Sequence, residues 1–166
     1  AAIAEIGATD NAKAASFLMK IGLVSFRFPR AEVTVFDAVK KALAGMSDKD
    51  ARKAVYKSLK KKKDWRIQVT LIEVVASYKG DDAAEFLLHE MLNAKKADER
   101  VVAEIARTLA KRKDKRAVRP LIKAFGAWKP RAGVTFKAIQ DALYEITGKS
   151  FDAVEDWESF WDPREP

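Results

Sequence analysis

Cysteine is absent from the 166 residues, and histidine occurs once. No disulfide, thiolate metal site or Cys nucleophile can form. One His also excludes His-rich metal sites and most His-based catalytic sets. A Cys-free chain is tolerated in reducing and oxidising compartments alike, so none is selected. Glycine and proline are scarce, at 7 and 5. An all-β fold needs many tight turns, which this scarcity argues against. No apolar run approaches the ~18 residues of a membrane-spanning helix, so membrane insertion is not expected. What is present suffices for a core: 48% of residues are apolar and 34% charged, a balance that excludes wholesale disorder. A chain of this length makes one domain or a short repeat array.

Charge is abundant but uneven. Lys and Arg number 32 against 24 Asp and Glu, a net of +8. Residues 149–166 hold two basic and six acidic side chains, a net of −4, which leaves +12 on residues 1–148. A basic body with an acidic end bears on surfaces and partners rather than on fold.

The chain repeats itself. A shift of 34 places Arg66 on Arg100, Leu71 on Ile105, Val75 on Leu109, Ala83 on Ala117 and Leu87 on Leu121. A shift of 32 backward places Leu71 on Val39 and Val75 on Leu43, and a shift of 34 forward places Ile105 on Ile139 and Leu109 on Leu143. Apolar residues inside each block are three and four apart, the spacing of a helix face. Each block breaks once, at Gly80-Asp81-Asp82 and at Lys113-Asp114-Lys115, where Gly can stop one helix and Asp can cap the next. About four helical hairpins result. The pattern predicts helices near 10–22, 31–45, 48–62, 64–79, 81–93, 97–112, 114–126 and 131–147.

The two ends differ from the middle. Ala4-Glu5-Ile6-Gly7 followed by Asp10 reads as the tail of a first helix and its break. The array is therefore expected to start mid-repeat, with further repeats before residue 1. After Thr147-Gly148, the residues Phe151, Val154, Trp157, Phe160 and Trp161 recur at helical spacing in an acidic setting. Terminal repeats need a distinct outer face, so residues 150–166 are expected to form an acidic, aromatic cap of the same domain as the array at 1–149.

Paired helices, a period near 34, Ala-rich first helices and Asp at the mid-repeat turn together resemble the HEAT-like (armadillo-type) repeat family. The stretches RVVAEIARTLAKRKDKRAVRPLIKAF (100–125) and IAEIGATDNAKAASFL (3–18) carry the likeness, and LYEITGKSFDAVEDWESFW (143–161) resembles the endings of bacterial HEAT-repeat proteins. The resemblance implies an all-α right-handed α-solenoid of about four hairpins with a short C-terminal capping helix. It also implies a scaffold whose second helices line a concave face that binds proteins, peptides or nucleic acids. Shared fold does not fix function.

Two surfaces stand out. On the second helices, the polar positions between the apolar ones are Lys53 and Lys57, Glu85 and His89, and Arg119 and Lys123. This mostly basic column is the expected concave binding face, and an acidic partner would fit it by charge. Between repeats, four successive turns are basic: Arg27 and Arg30; Lys60, Lys61, Lys62 and Lys63; Lys95 and Lys96; Lys129 and Arg131. Stacked about 10 Å apart, they would form a ridge. With Phe26, Phe28, Trp65 and Trp128 nearby, such a ridge can follow a phosphate backbone and stack bases. Lys at helix C-termini also simply suits the helix dipole and keeps an edge soluble.

Catalysis finds no footing. HEAT-like deoxyhypusine hydroxylases hold iron through several His-Glu pairs, whereas this chain has His89-Glu90 alone, matched by Lys57-Ser58 and Lys123-Ala124. HEAT-like alkylpurine DNA glycosylases use Trp and Asp on a basic face, but no family motif surrounds Asp64, Trp65 or Trp128. No phosphate loop or Ser/His/Asp set is present, and Asp81-Asp82 reads as helix capping. The expectation is a non-enzymatic scaffold, without metal or cofactor, for a protein or peptide partner. A nucleic-acid module using the ridge is the alternative.

Overall fold

The computed structural model describes residues 1–24, 33–92, 97–131 and 133–161. All regular structure among them is helical, with no strand. The chain divides into two compact units, Ala1–Ala83 and Ala84–Pro166.

Unit 1 holds α1 (Ala2–Ala8), α2 (Ala12–Val24), α3 (Val33–Ala44), α4 (Lys49–Lys61) and α5 (Trp65–Ala76), and ends inside α6 (Asp81–Glu85). First helices stack on first helices, α1 on α3 and α3 on α5, while α2 stacks on α4. Close approach explains two glycines. A Cβ on Gly7 would lie 2.8 Å from that of Ala42, and one on Gly22 would lie 2.7 Å from Val39 Cγ1. Buried Leu18, Val39, Leu43, Val55, Leu59, Leu71 and Val75 fill the space between the layers.

The turns of unit 1 are tied by polar side chains. Asp10, in left-handed backbone at φ 40°, accepts from the Ser47 amide at 3.0 Å, the Ser47 hydroxyl at 2.6 Å and the Asp48 amide at 3.0 Å. The Ser47 hydroxyl, followed by those backbone amides, holds the Asp10 carboxyl below its ordinary range. Asp48 in turn caps α4 through the amides of Asp50 and Ala51. Arg52 reaches the next turn: its Nε donates to Met46 O, its Nη1 to Lys79 O, and its guanidinium lies over the Tyr78 ring. Tyr78 is buried and donates to Leu43 O at 3.1 Å.

Unit 2 continues α6 as a π-helix over Phe86–Met91, then has α7 (Glu99–Arg112), α8 (Val118–Trp128), α9 (Val134–Thr147) and α10 (Val154–Phe160). The π register shows in the Leu92 amide, which donates to Leu87 O at 2.9 Å. α7 packs on α9, and α8 packs on both α9 and α10. Trp157 of α10 is fully buried, stands edge-on to Phe151, and donates from Nε1 to Phe151 O at 3.1 Å. Val154 packs against Gly126, where a Cβ would stand 3.1 Å from it. Phe160 remains 40% exposed.

Helix ends follow the capping residues. Asp64, Asp98 and Asp114 each accept the amide of the Arg two residues on, and each also binds that Arg's guanidinium. The expected helix at 114–126 therefore opens as a 3-10 turn, Lys115–Ala117, before α8. The expected helix at 131–147 starts later, at Val134, because Lys129–Arg131 forms a separate 3-10 turn.

Candidate partner-binding surfaces

On α4 the core face is Ala51, Val55 and Leu59, all fully buried. The flanking face carries Asp50, Lys53, Ala54, Lys57, Ser58 and Lys61, with Lys53, Lys57 and Lys61 at steps of four. This face opens on a groove of about 1120 Å³. Lys20 comes to it from α2, Lys62 and Asp64 from the α4–α5 turn, and Arg66 and Ile67 from α5. The groove thus joins two of the expected column residues, Lys53 and Lys57, to two of the expected ridge residues, Lys61 and Lys62. Six cations face two carboxylates in it.

The carboxylates are already engaged. Asp50 accepts from Lys53 at 3.1 Å. Asp64 binds Arg66 Nη2 at 2.7 Å, and that guanidinium, with the Arg66 amide, holds its carboxyl down at about 2. Lys20, Lys57, Lys61 and Lys62 make no ion pair among the described residues. Ala54, Ile67 and the edge of the buried Met19 add apolar surface to the lining, and among the described residues no aromatic side chain lines the groove.

In unit 2 the column residues are placed differently. Glu85 is exposed and 3.7 Å from Arg116 Nη1. His89 is exposed on the π-helix. Arg119 and Lys123 are exposed on α8 and border a depression of about 530 Å³, with Ile122, Val154, Glu158 and Trp161. Of the expected ridge, Lys60 and Lys63 are exposed outside the α4 groove. Lys129 donates to Asp152 O at 2.6 Å, and the Arg131 guanidinium lies 4.7 Å from the Trp128 ring. Arg27, Arg30, Lys95 and Lys96 lie outside the described residues, as do Phe26 and Phe28.

Lys20 and Arg66 were not foreseen at the groove. Lys20 lies far from Lys57 in sequence and is brought near by helix stacking, while Arg66 comes from the first turn of α5, just across the α4–α5 turn. The alignment of Lys53, Lys57 and Lys61 was readable, since steps of four keep one helix face. Among the described residues no helix is long and apolar enough to cross a membrane, and no three His, Cys, Asp or Glu side chains cluster as metal ligands would. Comparison with protein-family models, curated proteins and solved structures finds no match for this chain.

Proposed function

We propose that this chain is a non-enzymatic helical-repeat scaffold of HEAT-like kind, which binds a protein partner across the outward faces of its second helices. One observation carries the reading. Lys53 and Lys57, Glu85 and His89, and Arg119 and Lys123 are all exposed, while apolar residues of the same helical turns, such as Val55, Leu87 and Leu121, are buried. These faces take no part in the core and present long polar side chains, which suits reversible, charge-guided recognition. The internal period of about 34 and the helix-on-helix stacking within each unit support the repeat assignment.

The nucleic-acid reading has its own support: Lys61, Lys62 and Arg66 share one groove with Lys53 and Lys57. Without an aromatic lining, that groove would grip phosphates but stack no bases. Fluorescence anisotropy separates the two. Labelled duplex DNA, single-stranded DNA, RNA and an acidic peptide are each titrated at low and moderate salt. A protein scaffold should prefer the peptide and keep part of that affinity in salt. Tight binding of nucleic acid alone, falling steeply with salt through counterion release, would replace this reading with the alternative.

A further inference from the structure

Building on the scaffold reading, we infer that the α4 groove of unit 1 receives an acidic segment of the partner protein that carries apolar side chains among its acids. Four cations there, Lys20, Lys57, Lys61 and Lys62, have no ion pair among the described residues. The two carboxylates of the groove are committed to Lys53 and Arg66. The surplus charge must be met from outside, by water, salt ions or a partner's anions.

Spacing fits a peptide. Lys53, Lys57 and Lys61 stand one helical turn apart, so the row is about 12 Å long at about 6 Å per step. Acids at alternate residues of an extended chain recur at about 6.7 Å. Acids one turn apart on a helix recur at about 6 Å. Two partner acids therefore meet Lys57 and Lys61 in either conformation, and a third reaches Lys53 by taking the place of the exposed Asp50. Ala54 and Ile67, with the edge of the buried Met19, add apolar surface to the same lining. Apolar side chains set among the acids would cover it. A sugar-phosphate backbone offers nothing to that surface, and its bases would find no ring to stack on.

The test uses the whole chain and three short labelled probes: a peptide alternating Glu with Leu, one alternating Glu with Gly, and duplex DNA. The Glu/Leu peptide should bind best, and at moderate salt it should outlast the Glu/Gly peptide. Reversing charge in K57E/K61E/K62E should weaken it about tenfold or more, since each reversed contact changes the interaction by a fraction of a decade or more. K57A/K61A/K62A should show a smaller loss in the same direction, with unchanged helix content by circular dichroism. K111E/K137E, exposed on α7 and α9 of unit 2 and outside both the groove and the second-helix faces, should leave the affinity within about twofold. Failure of the Glu/Leu peptide to bind, unchanged binding by the α4 variants, or equal affinity for both peptides overturns the groove assignment. If only R119E/K123E abolishes peptide binding, the groove falls while the scaffold reading stands. If duplex DNA binds more tightly than either peptide and the α4 variants abolish that, both fall.

Discussion

The two units are built from similar paired helices but differ in where their charge gathers and in what holds them together. Unit 1 has 16 Lys and Arg against 10 Asp and Glu, a net of +6, while unit 2 has 16 against 14, a net of +2. In unit 2 Arg100 is paired with Asp98, Arg107 with Glu104, and Arg116 with Asp114 and Glu85. Lys129 and Arg131 meet a backbone oxygen and an indole, and Arg119 and Lys123 border a depression that also holds Glu158. Unit 1 leaves four lysines of one groove without an ion pair among the described residues. Cohesion is divided the other way. Unit 2 gathers Phe125, Phe136, Phe151 and Trp157 into aromatic contacts, whereas unit 1 laces its turns with Asp10, Arg52 and Tyr78. Basic composition alone therefore does not single out a surface; the difference lies in where cations without an ion pair among the described residues converge, four of them in one groove of unit 1.

Removing the aromatic anchor should strike hardest. Trp157→Ala empties a fully buried site and should cost unit 2 about 3–5 kcal/mol. Urea unfolding followed by far-UV circular dichroism reads the loss. Hydrogen exchange should show it in peptides from α8 to α10 and leave those of α1 to α4 unaltered. A cost below about 1 kcal/mol would mean that the aromatic cluster does not hold the end of unit 2 together.

The converse change belongs to unit 1. Asp10→Ala removes an acceptor shared by three donors and should cost about 1–2 kcal/mol, because the Ser47 and Asp48 amides can turn to water. Exchange should then quicken around 45–52. Equal quickening in α7 to α9 would show that the turn latches are not local to unit 1.

Acid should produce the smallest effect and spread it over both units. Asp10, Asp64 and Asp114 are each held below the ordinary value of 3.8 by side-chain donors: Ser47, Arg66 and Arg116 respectively. A carboxyl lowered in the folded state stabilises fully above its unfolded value, and this is lost as pH falls through the folded one. Thermal midpoints should therefore hold from neutrality to about pH 4 and decline toward pH 2. Asp64→Asn should flatten that decline for unit 1 alone. A midpoint that already falls between pH 7 and 5 would point to other groups.

Much of the helical frame was legible. The prediction of 48–62 became Lys49–Lys61, and 97–112 became Glu99–Arg112, because Asp48 and Asp98 cap where a cap is expected and apolar spacing does the rest. Gly148, left-handed at φ 71°, ends α9 as its sequence suggests. The π segment was not legible. Apolar spacing through Leu87 and Leu88 suits either register, and the change lies in a backbone bond. His89 consequently does not inherit its direction from Lys57 by counting residues. The groove was half legible: the lysine row on α4 is a matter of period, but its meeting with Lys20 and Arg66 depends on how α2, α4 and α5 stack.

That π segment has a meaning for how repeat lengths change. A π turn encloses one residue more than the α turn it replaces, so Phe86–Met91 is the footprint of an extra residue absorbed without breaking the helix. The chain aligns with itself at shifts of both 32 and 34, so its units already differ in length. A repeat array copied with small errors needs places where a residue can be gained or lost at little cost. Within unit 2, Phe86–Met91 is such a place.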